Sequence, residues 1–134
     1  MRMETVELPR GGYGDHTPLL SAYVQDNVAA QHGRRRPAMV ICPGGGYEFC
    51  SDREAEPMAL AWVARGYQAF VLDYTVLDAE RAAAGEALLP APQRDLAHAV
   101  ACVRSLAAEW LGEDTAQLGG AASSDPNSWR EDAR

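Results

Sequence analysis

The sequence predicts an α/β domain, a mostly parallel sheet with helices on its faces. Three observations predict it. Pro37–Cys42 (Pro-Ala-Met-Val-Ile-Cys) and Ala69–Leu72 are short apolar runs without polar alternation, the pattern of strands covered on both faces. Met58–Arg65 lies between them, is apolar on most sides and stops at Gly66. Asp95–Leu111 follows, with Leu96, Val100, Val103, Leu106 or Ala107, and Trp110 at the three- and four-residue steps of one helix face. Strands alternating with helices imply parallel pairing and right-handed crossovers.

The elements follow in order. Residues 3–8 alternate weakly and read as an edge strand, stopped by Pro9 and Gly11-Gly12. Leu19–Val24 is a second short strand, and the polar, arginine-rich residues 25–36 read as a loop. The run Pro37–Cys42 ends at Pro43-Gly44-Gly45-Gly46-Tyr47, a sharp turn with bare backbone amides. Ser51 and Glu54 have capping-box spacing, so a helix is expected to start there, with one loose turn before Pro57. Residues 75–93 read as a long excursion with one helical turn. Asp95 stands at the positive end of the last helix and Gly112 closes it. The unit is expected to span residues 1–118. Residues 119–134 carry one large apolar residue and no period, and are expected to be a disordered tail.

Composition narrows the function. The chain has 134 residues, 47% apolar and 23% charged, which fits one globular domain. No apolar window is long enough for a transmembrane helix. All 12 basic residues are arginine and the net charge is −7, which leaves no footprint for nucleic acid or an anionic membrane. Arg34-Arg35-Arg36 is a short run that reads as a solvated loop. Met1–Glu7 has no apolar signal region, and Cys42, Cys50 and Cys102 form no disulfide framework, so a cytoplasmic chain with reduced thiols is expected.

The triple glycine is the sharpest chemical feature. Backbone amides beyond the carboxyl end of a parallel strand suit a plain tight turn, an oxyanion hole or a phosphate cradle. Phe49 stands where the dinucleotide fingerprint needs a third glycine, and a chain without lysine cannot form the P-loop. Other candidates carry blander readings. Ser51 reads as a helix cap, and Ser123 and Ser124 as tail residues. His98 and Cys102 share a helix face without a third group. His16 and His32 lack metal-ligand spacing, Cys42 and Cys50 read as small buried or half-buried residues, and Asp73 reads as a turn former at the carboxyl edge.

Several runs carry a resemblance. They are Cys42–Tyr47, then Ser51-Asp52-Arg53-Glu54-Ala55-Glu56-Pro57, then Gly66-Tyr67 and Phe70–Tyr74. Together they resemble the α/β-hydrolase family, in its acetyl-xylan and feruloyl esterase-like branch, over roughly residues 5–118. Asp95, Val103-Arg104 and Trp110-Leu111-Gly112 look like that family's next helix. The resemblance implies a carboxylic-ester hydrolase acting on short acyl esters, carbohydrate-linked ones among them, with no metal or organic cofactor. It implies an oxyanion hole at Gly44, Gly45, Gly46 and Tyr47, where Gly45 and Gly46 offer amides and Gly44 and Tyr47 shape the turn. It also implies a serine on a G-x-S-x-G elbow, then an acid and a histidine. The sequence departs here, because Gly119–Ser124 follows Leu118 and no G-x-S-x-G occurs. The fold is expected to stop before the elbow, no catalytic residue is assigned, and the chain alone is expected to be inactive. The strands should leave an open edge, so an oligomer or a partner that completes the sheet is expected. A non-catalytic module pairing through that edge is the alternative.

Overall fold

The computed structural model describes residues 1–31 and 34–111, the last five of these by backbone alone. His32, Gly112, Ser123, Ser124 and the expected tail 119–134 lie outside the described residues, as do the side chains of Ala107 and Trp110. The elements are β1 (Arg2–Glu7), β2 (Leu19–Val24), β3 (Ala38–Ile41), α1 (Glu56–Ala64), β4 (Gln68–Asp73), α2 (Ala79–Ala83) and α3 (Ala91–Leu111). A single loose turn, Asp52–Glu54, precedes α1, and Pro57 sits in the first turn of that helix. α3 begins earlier than its apolar stripe indicates, because Pro92 fits a first turn.

The four strands form one sheet in the order β1-β2-β4-β3. Its directions are mixed rather than mostly parallel. β1 pairs with β2 and β2 with β4 antiparallel, while β3 pairs with β4 parallel. Only β3 and β4 are joined through a helix that returns the chain to its starting edge, so only they must run the same way. β1 and β2 are joined by a loop, which permits antiparallel pairing.

β4 is buried along Gln68–Leu72 and divides its side chains between two cores. Phe70, Leu72 and Tyr74 pack with Leu20, Val24, Ala99, Val103 and Leu106 on the α3 face. Ala69 and Val71 pack with Tyr23 and Ala59 on the α1 face. Burying one such large side chain stabilises by about 1.5–3 kcal/mol. β3, whose apolar run predicts cover on both faces, is only half-buried throughout. The described residues supply it with one neighbour, and an edge strand stays wet along its free side.

The buried stripe of α3 is also turned from expectation. Asp95, Ala99, Val103 and Leu106 are buried, whereas Leu96 is exposed. Asp95 does not serve its own helix end. Its fully buried carboxylate accepts the Thr75 backbone N–H at 2.7 Å, tying the exit of β4 to α3. A second polar pair closes the other end of the sheet. The Gln68 side chain, wholly buried, accepts from Gln25 N–H at 2.7 Å and donates to Gln25 C=O at 2.8 Å, extending the ladder by one rung.

Candidate functional site

β3 delivers the chain to the glycine turn at the carboxyl end of the sheet. Gly44 is held from both sides. Its N–H donates to Glu54 Oε2 at 2.6 Å and its C=O accepts from Ser51 N–H at 2.9 Å. The expected capping box is therefore not formed. Ser51 makes no side-chain cap, and the Glu54 carboxylate is taken by the glycine turn instead.

The next residues leave ordinary backbone space. Gly45 has φ +152°, and a Cβ there would overlap the Phe49 carbonyl oxygen. Gly46 has φ +65° with open space around it. Tyr47 takes φ +64°, which is uncommon outside glycine and is the kind of local strain found at binding sites. Its C=O accepts from Leu77 N–H at 2.7 Å, and its ring meets Tyr74 edge-on at 6.2 Å. The Gly45 C=O accepts from Glu48 N–H at 3.1 Å. The carbonyls of Gly44, Gly45 and Tyr47 are thus used. The amides of Gly45, Gly46 and Tyr47 have no acceptor among the described residues.

Tyr74 supports the turn from the sheet, since its hydroxyl donates to the Pro43 carbonyl. Burial, then the neighbouring Cys50, pushes that hydroxyl up to about 12, so it stays a protonated donor at neutral pH. Burial pushes the Cys50 thiol up to about 11, with Asp73 adding to the rise and the Tyr74 backbone opposing it. Cys42 is exposed as a residue, correcting its expected burial, yet packing around its sulfur raises its thiol too. Neither sulfur is a thiolate near neutrality, so neither is an activated nucleophile. Asp73 is not a turn former. It pairs with Leu19 in the ladder, and its carbonyl and carboxylate lie 3.4 and 3.8 Å from His16 Nε2.

The turn walls a cleft of about 370 Å³. It is lined by Cys42–Tyr47, by Leu72 and Tyr74 at the end of β4, and by Pro92, Gln93 and Leu96 of α3. All four residues expected at the oxyanion hole therefore line one concave, largely apolar site. His98 and Cys102 do not line it. Glu54, Tyr74 and the start of α3 are site residues that sequence reasoning missed. The S-x-x-E spacing did single out Glu54, but for a partner it does not have. No group of three His, Cys, Asp or Glu able to hold a metal occurs among the described residues. None of the described helices is long and apolar enough to cross a membrane.

Known proteins show this fold as part of a larger one. An α/β-hydrolase enzyme from a Medee basin deep-sea metagenome library is 33% identical with a TM-score of 0.63, matching 94% of this chain and 44% of its own. An acetyl ester-xyloside bifunctional hydrolase from Caldicellulosiruptor lactoaceticus is 27% identical with a TM-score of 0.58, matching 84% of this chain and 32% of its own. A stretch of 58 residues is 40% identical to endo-1,4-beta-xylanase B of Butyrivibrio fibrisolvens, covering 43% of this chain and 8% of that protein. No family model matches the chain. The fold is that of part of an α/β hydrolase. More narrowly, the solved structures it resembles include α/β-hydrolase esterases, an acetyl ester-xyloside hydrolase among them, and the chain spans less than half the length of those structures.

Proposed function

We propose that the glycine turn is the oxyanion-binding part of a carboxylic-ester hydrolase. The observation that carries this is the pair of Gly45 and Gly46 amides, without acceptors among the described residues and lining an apolar cleft. Such fixed donors stabilise the charge that develops on an ester carbonyl oxygen as a nucleophile attacks it, and losing one typically costs about 10²–10³ in rate. The reaction is acyl transfer: a serine attacks the carbonyl and a histidine moves the proton to the leaving alcohol. Neither group is assigned here, because the 134 residues contain no G-x-S-x-G. We take the chain alone to be inactive and the serine, acid and histidine to come from outside it. Short acyl esters, carbohydrate-linked ones among them, are the substrate class, supported by the likeness to the xyloside hydrolase and the xylanase stretch. A reduced, cytoplasmic setting agrees with the three free cysteines.

A second reading, a non-catalytic module that pairs through its sheet edge, draws support from β3, which has one neighbour among the described strands. Intact mass after exposure to a serine-directed fluorophosphonate separates the possibilities. The expected result is no adduct on folded protein. A stoichiometric adduct that fails to form when the protein is unfolded before exposure would show an activated serine and overturn the inactive reading. A stable complex whose assembly restores turnover supports the hydrolase, whereas a stable complex without turnover favours the module.

A further inference from the structure

We infer that Glu54 is the positioning residue of the glycine turn: its carboxylate fixes the Gly44 amide and thereby leaves the Gly45 and Gly46 amides free for an anionic oxygen. The inference rests on the oxyanion reading of the turn. Three facts lead to it. Glu54 Oε2 lies 2.6 Å from Gly44 N, a charge-assisted bond that removes one of the amides in the run from service. The same oxygen stands 2.6 Å from where a Gly44 Cβ would be, so a side chain at this position would push the carboxylate out of its present place. Ser51 N–H returns to Gly44 C=O at 2.9 Å, so the loop 44–54 closes on Gly44 from both ends.

The result is a division of labour within one run of glycines. Gly44 is an anchor and Gly45-Gly46 are the open donors. Without the carboxylate, the Gly44 amide would be an uncommitted donor beside them, and the turn would lose the bond that sets its exit from β3. Glu54 is itself exposed, so it acts through the hydrogen bond it accepts and not as a buried charge. Its negative charge near the anion position works against an oxyanion. A neutral acceptor of the same shape should therefore still hold the turn, through a weaker hydrogen bond, and bind an anion at least as tightly.

The test uses the whole chain, ¹⁵N-labelled, as wild type, Glu54→Gln and Glu54→Ala. In wild type the Gly44 amide resonance should move as the Glu54 carboxyl titrates, and in E54Q that movement should vanish. In E54A the Gly45 and Gly46 resonances should shift or broaden while those of β2 and β4 stay in place, which shows that the fold survives. Titration with acetate should shift Gly45 and Gly46 in wild type and in E54Q, and the response should be lost in E54A. A Gly44 resonance indifferent to the Glu54 titration, or an E54A spectrum with Gly45 and Gly46 unchanged, overturns the inference. Loss of the turn in E54Q as well as E54A also overturns it, since an accepted hydrogen bond would then not be what holds Gly44. If Gly45 and Gly46 ignore acetate in wild type while the Gly44 titration and the E54A displacement occur as stated, the oxyanion reading fails and the positioning role stands.

Discussion

Two glycine turns sit on this sheet and do opposite things. At Gly11 the missing side chain lets two elements touch. A Cβ there would stand 2.8 Å from Asp95 Oδ1 and 2.9 Å from the Ala91 carbonyl, so the loop after β1 lies directly on the first turn of α3. Arg94 reinforces the contact by donating to Gly11 C=O at 3.3 Å. Within Gly44–Gly46, Gly45 and Gly46 hold the chain in unusual backbone space and leave amides facing no protein acceptor among the described residues. One turn closes a packing gap and the other keeps a gap open. A glycine run is thus a functional signal only when its backbone donors remain unspent.

Substitutions test this contrast. Gly45→Ala should cost most, roughly 3 kcal/mol or more, because the Cβ collides with the Phe49 carbonyl and no flexible group can yield. Chemical denaturation measures it, and a loss under about 1 kcal/mol would mean the turn has another conformation available. Gly11→Ala should cost about 1–3 kcal/mol by overpacking the α3 contact, while leaving the Gly45 and Gly46 amide resonances in place. Movement of those resonances would show that the two turns are coupled. Gly46→Ala should cost about 1–2 kcal/mol, from its left-handed backbone alone, since open space surrounds it. A cost equal to that of Gly45→Ala would remove the distinction drawn between the two positions.

Alkali should produce the smallest and most local effect. Cys50 and Tyr74 are both neutral groups whose folded values lie above their ordinary 9.0 and 10.0, at about 11 and about 12. The folded state holds their protons more tightly than the unfolded state. Their stabilising contribution is therefore complete below pH 9 and is lost as pH rises through about 11 for Cys50 and about 12 for Tyr74. Melting temperature followed from pH 8 upward should begin to fall near pH 9–10, and iodoacetamide should label Cys50 slowly until the same range is passed. Fast labelling of Cys50 at pH 8 would contradict its protected thiol.

The same comparison shows how much the sequence made legible. The four strands and the two longer helices are readable from apolar runs and period, to within a few residues. The Gly44–Tyr47 turn is readable because three glycines after a buried-type run have few other uses. The side of α3 that turns inward is not readable from hydrophobicity. Leu96 is the apolar candidate, yet Asp95 is buried because Thr75 N–H at the end of β4 needs an acceptor. Glu54 misleads for a related reason. Its spacing from Ser51 fits a local cap, and the competing partner, Gly44, is close only after β3 and the loop have folded back.

By itself the sequence determined the class of fold, the order of its elements and the residues of the glycine turn, because these follow from local period and from the special freedom of glycine. The tertiary structure alone decided the strand directions, the half-buried state of β3 and which amides of the turn remain unbonded. Those depend on which neighbour supplies an acceptor or covers a face, and such neighbours are set by contacts between residues distant in the chain.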